Sequence, residues 1–397
     1  MRQNTLMKLI KIFIIVIFVQ LVMLHSFSEA QKPIKIGVVA GYTGTYAAMG
    51  QHMKWVVEMA MEEINAKGGV LGRKLEAIHE DDQNSPAISS AKAEKLILQD
   101  EVDFLIAPIS SACTLNDMKV VEKHKKVMIV SISQSAKITG EECSKYTFRV
   151  IDNPAMEANT LVGWMLKNMG RKIYFLTVDY AWGKSTSEEF RKAIERLGGG
   201  TIVGESLFPL NTKDFAPYFG KIKAAKPEVL FVTAAGNDAI SVVTQLKEYG
   251  MGKLMKIAGA GSLVSGDVLP AMGANADDII TADRYALDIP TTENKSFVEK
   301  FQKAYKEIPS KFAASTYEAV YWLAQAIEKA KSVETEAVIK ALEGSTFNGP
   351  QGPKKMRAED HQAIMNMYIL KCKGGKQVMI DQWKGEEVIH PNMCKKW

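Results

Sequence analysis

The chain has 397 residues, with 50 basic side chains against 45 acidic, a net charge of +5 at neutral pH and a hydrophobic share of 47%. A balance this close to neutral, with no stripe dense in Lys and Arg, argues against a nucleic-acid partner. The length is enough for two domains of ordinary size.

In chain order, Arg2, Lys8 and Lys11 precede an apolar run from Ile12 to Leu24, which leads to Ser28-Glu29-Ala30. This reads as a secretory signal over residues 1–30 with a small-x-small cleavage site, and it places the protein in the periplasm. Gln20 interrupts the run and no basic stop-transfer flank follows, so a membrane anchor is the weaker reading. An oxidising compartment makes Cys113, Cys143, Cys372 and Cys394 disulfide candidates. The expected pairs are Cys113 with Cys143 and Cys372 with Cys394, each within one chain region; buried free thiols are the alternative.

Beyond the signal, Pro33 to Ala40 is an apolar run of strand length that ends in Gly41-Tyr42-Thr43-Gly44. Met53, Val56, Val57, Ala60, Met61 and Ile64 then recur at helical spacing, and Gly68-Gly69 marks the stop. The unit repeats through strands at 75–79, 102–107 and 127–130 with helices between them. A second series follows Asn153-Pro154, with strands at 172–178, near 202, at 229–232 and at 257. Alternating strands and helices predict parallel sheets with right-handed crossovers. The expected fold is α/β, two Rossmann-like lobes joined by a three-strand hinge. Lobe 1 spans 31–150 plus 284–349 and lobe 2 spans 151–283 plus 350–397, with crossings near 150, 284 and 349.

Ligands of open α/β sheets sit beyond the carboxyl ends of the strands, which selects four loops. The first, 42–50, holds Tyr46 and Met49. The second and third carry Ser110-Ser111 and Ile132-Ser133-Gln134, hydroxyl-rich sequence suited to a carboxylate, with ordinary helix capping as the alternative. The fourth presents Tyr180 and Trp182, either a lid over a ligand or packing residues.

Catalytic signatures are poorly represented. Gly183-Lys184-Ser185 lacks the glycine that opens a phosphate loop, and Gly259-Ala260-Gly261 lacks the third glycine of a dinucleotide loop, so no cofactor is expected. His79-Glu80-Asp81-Asp82 alternates across a strand and reads as a solvated strand end rather than a metal site.

The stretch from Glu63 to Leu75 (EINAKGGVLGRKL), Asp81-Asp82, the Ser110-Ser111 loop and Arg357 to Gln362 (RAEDHQ) together resemble the leucine/isoleucine/valine-binding proteins of ATP-driven importers, which have a type I periplasmic-binding fold. The resemblance runs from about residue 33 onward. It implies a non-enzymatic solute-binding protein that works with a membrane permease. It also implies that Ser111 and the loop 132–134 hold a ligand carboxylate under an aromatic cover near Trp182. Amino-acid binders of that family place an acid where this chain has Gly261. A second-lobe loop that often offers a tyrosine reads Ala234-Ala235-Gly236-Asn237 here, and Met49 stands in place of another tyrosine. A desolvated ammonium without an opposite charge is costly to bury. The expected ligand is therefore a small organic or aromatic acid, or an amide, rather than a zwitterionic amino acid, unless Asp238 or Asp283 supplies the missing charge. A ligand-sensing regulatory domain and, less favoured, a secreted hydrolase are the other readings.

Overall fold

The computed structural model describes residues 32–396, so the signal reading of residues 1–30 lies outside the described residues. Strand β1 (Ile34–Ala40) leads into helix α1 (Ala47–Ala66). The chain reverses at Gly69, where φ is +79° and a Cβ would stand 2.0 Å from the Arg73 carbonyl oxygen, so only glycine makes this turn. There follow β2 (Leu75–Asp81), α2 (Pro86–Leu98), β3 (Phe104–Ile106), α3 (Ser111–His124), β4 (Val127–Val130) and β5 (Thr147–Arg149). They build a parallel sheet of order β2-β1-β3-β4-β5. Strands β3 and β4 are buried along their whole length, which is why their sequences are unbroken apolar runs rather than alternating ones.

The second series opens at α4 (Pro154–Asn168), whose start is fixed by the Asn153 side chain accepting from the Met156 N–H at 3.0 Å and by proline in the first turn. It continues through β6 (Lys172–Val178), α5 (Ala181–Leu197), β7 (Thr201–Phe208), α6 (Ala216–Ala225), β8 (Val229–Thr233), α7 (Gly236–Glu248), β9 (Lys256–Ala260) and β10 (Ile280–Asp283). Helices α8 (Thr292–Tyr305), α9 (Lys311–Ala330) and α10 (Thr335–Leu342) come next. Helix α9 docks on α1, where Tyr317 and Tyr321 both donate to Glu63. Strands β11 (Thr346–Gly349), β12 (Gly352–Met356) and β13 (Ala363–Met365) form a small antiparallel sheet. Strands β14 (Met367–Lys373) and β15 (Lys376–Trp383) then complete a seven-stranded sheet of order β15-β14-β10-β9-β8-β6-β7, in which β14 and β15 run antiparallel to their neighbours.

The chain thus passes between the two sheets after β5, after β10 and through β11–β13. These passages are laced together by buried charge. Arg284 meets Asp152 at 2.8 Å with both side chains fully buried, and Lys354 pairs with Glu318 while donating to the Val150 carbonyl at 2.9 Å. Removing one partner of such a pair would cost about 3–5 kcal/mol, because the other charge would remain buried alone.

The cysteines correct the expected pairing. The bond is Cys143–Cys394, across 251 residues, while Cys113 and Cys372 are free and buried. Cys113 lies on the first turn of α3 and faces into the lobe beside Ser110 and Asp82, where burial pushes its thiol well up. Cys372 lies within β14, and burial pushes its thiol up to about 12. Neither is presented to the turn that carries Cys143. The chain after β15 is, because Arg357 donates to the His390 carbonyl at 2.8 Å and so guides it there.

Candidate functional site

Six loops at the carboxyl ends of β1, β3, β4, β6, β8 and β9 converge between the two lobes. They form a small cavity of about 20 Å³, lined by Tyr46, Met49, Ile109, Ser111, Ile132 and Gln134 on the first-lobe side and by Tyr180, Trp182, Ala235 and Ser262 on the other. Phe312, from the first turn of α9, completes the wall. Among the described residues, no Asp, Glu, Lys or Arg lines it. A space of this size holds about one water. A much larger groove, about 1690 Å³, opens between α4, α5 and the chain after β15 and shares Tyr180 with the cavity. Its walls carry solvated Lys and Glu side chains of both signs, so the smaller cavity, walled by apolar side chains and a few polar groups, is the better candidate for specific recognition.

The first-lobe loops are held rigidly. Arg149, fully buried at the end of β5, donates to the carbonyls of Gln134 at 3.1 Å and Ser135 at 2.6 Å and to Gln362 Oε1 at 2.7 Å. Ser111 Oγ accepts from the Ser135 N–H at 3.1 Å, which leaves its own O–H free to donate. Ser133 instead donates to the Pro108 carbonyl at 2.5 Å, beneath the cavity. Gln134 donates from one nitrogen, Nε2, to Asp152 Oδ2 at 2.9 Å and to Glu157 Oε1 at 3.0 Å. Burial and the neighbouring Asp152 push the Glu157 carboxyl above its ordinary value.

Across the cleft, the Tyr46 and Tyr180 hydroxyls join the lobes at 2.8 Å, and Thr45 meets Asn211. Burial raises both tyrosines far above their ordinary value, so both remain protonated donors. Trp182 is 4% exposed, and its Nε1–H has no acceptor among the described residues.

The chain matches the periplasmic binding protein family model over residues 33–377. It belongs to the periplasmic binding protein family. The leucine-, isoleucine-, valine-, threonine- and alanine-binding protein of Pseudomonas aeruginosa is 27% identical over 333 residues, 82% of this chain and 86% of that protein. Among solved structures, an ABC-transporter solute-binding protein from Rhodopseudomonas palustris in complex with 3,4-dihydroxybenzoic acid is 27% identical, with a TM-score of 0.83 over 89% of this chain and 98% of that one. A second from R. palustris, in complex with benzoate, is 25% identical with a TM-score of 0.83, over 88% of this chain and 96% of that one.

In this periplasmic binding protein, seven of the residues singled out by sequence meet at the cavity: Tyr46, Met49, Ser111, Ile132, Gln134, Tyr180 and Trp182. Five do not. Ser110 occupies the N-cap of α3 without a side-chain cap bond, and Ser133 faces inward. Asn237 is exposed, while Gly236 marks a close approach of the lobes, since a Cβ there would stand 2.2 Å from the Thr45 carbonyl oxygen. Gly261 lies behind the wall, where a Cβ would stand 2.7 Å from Lys311 Nζ and 2.8 Å from Asp283 Oδ2. The buried Lys311–Asp283 pair, at 3.2 Å, therefore fills the volume that a side chain at 261 would take. Asp238 accepts from the Asn211 N–H at 3.1 Å and is pushed up to about 6 by burial; like Asp283 it does not line the cavity.

The sequence reading did not single out Ile109, Ala235, Ser262 or Phe312 as site residues, although Ala235 lies in a loop it quoted. The first three lie one residue from positions it named. Phe312 opens a helix and carries no local signal. The four acidic-strand residues diverge: His79 bonds Tyr42, Glu80 pairs with Lys92 and Lys95, Asp81 caps the Tyr42 and Thr43 turn, and Asp82 turns inward to the Asn84 N–H.

Proposed function

We propose that this periplasmic binding protein captures a small carboxylate-bearing solute, other than a zwitterionic amino acid, for an ATP-driven importer with a membrane permease. The observation that carries the proposal is the chemistry of the cavity wall. It offers the Ser111 O–H, the unpartnered indole of Trp182 and apolar surface from Met49, Ile109, Ile132 and Phe312, but, among the described residues, no carboxylate. The nearby acids are committed elsewhere: Asp152 to Arg284, Asp283 to Lys311, and Glu157 to Gln134. An ammonium would meet no opposite charge, whereas a carboxylate would meet uncommitted donors. The R. palustris neighbours with benzoate and dihydroxybenzoate support the acid; the name of the P. aeruginosa relative favours amino acids instead.

A cavity of about 20 Å³ admits no such ligand unless the walls separate. Lobe 1 (31–150 plus 284–349) and lobe 2 (151–283 plus 350–397) hinge apart, the Tyr46–Tyr180 and Thr45–Asn211 contacts break, and the ligand biases the return to the closed form. Capture involves no chemical conversion, so the protein is not an enzyme, and residues 1–30 direct it to the periplasm. A thermal-shift screen of residues 31–397 against benzoates, aliphatic acids, their amides and leucine tests this, because a ligand that binds only the folded state raises Tm. Acids are expected to stabilise without turnover. Leucine binding at nanomolar Kd would refute the ligand class.

A further inference from the structure

The amide of Gln134 is a polar group of the cavity wall whose orientation is fixed by its buried neighbours. An amide side chain has a donor end and an acceptor end of nearly equal size, and its hydrogen-bond partners decide which way it points. Here two carboxyl oxygens, from Asp152 and Glu157, lie 2.9 and 3.0 Å from the same terminal atom. Asp152 carries the Arg284 ion pair on its other oxygen, at 2.8 Å. An amide oxygen turned toward that carboxylate would be repelled, so the atom facing the two acids is the nitrogen. Both of its N–H groups are engaged, and all the groups involved are buried. The carbonyl Oε1 is left for the cavity that Gln134 lines.

The wall is therefore not uniformly a donor surface. Ser111 has an O–H free to donate, whereas Gln134 presents a neutral acceptor that cannot reverse its role without disrupting the Asp152–Glu157 arrangement. A plain hydrocarbon acid would cover this acceptor and leave it without a partner. An ammonium would gain one neutral acceptor and no counter-charge. A hydroxyl would satisfy it at no charge cost.

We infer that Gln134 is a specificity-determining residue, selecting carboxylic acids that carry a second, neutral hydrogen-bond donor, foremost hydroxy acids, through its fixed Oε1. The inference rests on the cavity being the ligand site.

The test is calorimetric titration of the wild-type protein with each hydroxybenzoate against the fluorobenzoate of the same substitution pattern, and with hydroxylated aliphatic acids against their deoxy counterparts. Fluorine keeps the size of the hydroxyl and removes the donor. At least one hydroxy acid should bind about ten- to a hundredfold more tightly than its donor-less partner, the usual consequence of leaving a buried polar group unpaired. Gln134→Met should erase that ratio while still binding the donor-less acid. The wild-type ligand pairs decide the matter even if the variant folds poorly. Equal affinities within every pair, or a ratio that survives in Gln134→Met, would overturn the inference and leave the acid-binding site standing. Failure of every acid to bind would overturn both.

Discussion

On the first-lobe side of the cleft, the hydroxyls of Ser131 and Ser133 are both engaged within the protein, with Thr316 and with the Pro108 carbonyl, and Ser111 accepts a backbone N–H. On the second-lobe side, the Trp182 indole N–H has no acceptor among the described residues. One wall is a scaffold that has largely satisfied itself, and the other is a cover with a donor held in reserve. A serine-rich loop is thus a poor guide to recognition by composition alone, because most of its hydroxyls hold the loop in shape.

The contrast is most sharply tested by Trp182→Ala. It should weaken binding of the cognate acid by about a hundredfold, as loss of a central buried aromatic commonly does, with the far-ultraviolet circular dichroism unchanged. An unaltered Kd would remove the second-lobe cover from the site. Ser111→Ala should cost about tenfold in Kd by titration, since one hydrogen bond to a charged group is lost, and should also lower stability by about 1–2 kcal/mol because the buried Ser135 N–H loses its acceptor. Ser133→Ala should lower stability by a similar amount, read as a Tm drop of a few degrees, but should leave Kd within about twofold. If Ser111 and Ser133 proved interchangeable in these assays, the division between scaffold and contact would collapse.

The fold was readable because strand, loop and helix succeed one another with clean periodicity from Ile34 to Val130, and because each β-to-α loop must open at a strand's carboxyl end. That rule selected four of the six loops that line the cavity. It could not separate Ser111 from Ser110 or Ser133, since a shift of one or two residues reverses the side of the loop a side chain faces. It could not find Phe312, which joins the wall through the packing of α9 on α1. Nor could it see that Lys311 and Asp283, distant in sequence, fill the space beside Gly261, or that Asp152 and Glu157 lock Gln134. These are long-range pairings that leave no local pattern.

The Cys143–Cys394 bond has a consequence for the order in which the molecule comes together. During synthesis the Cys143 thiol emerges with Cys113 only 30 residues behind it, long before its proper partner, 251 residues further on, exists. Closing the short loop is entropically easier by about 2 kcal/mol, so an oxidant acting on a slack chain would favour the wrong bond. Packing Cys113 into the lobe under α3 removes the competitor. Native connectivity is therefore favoured when the first parallel sheet closes over Cys113 before the chain is oxidised.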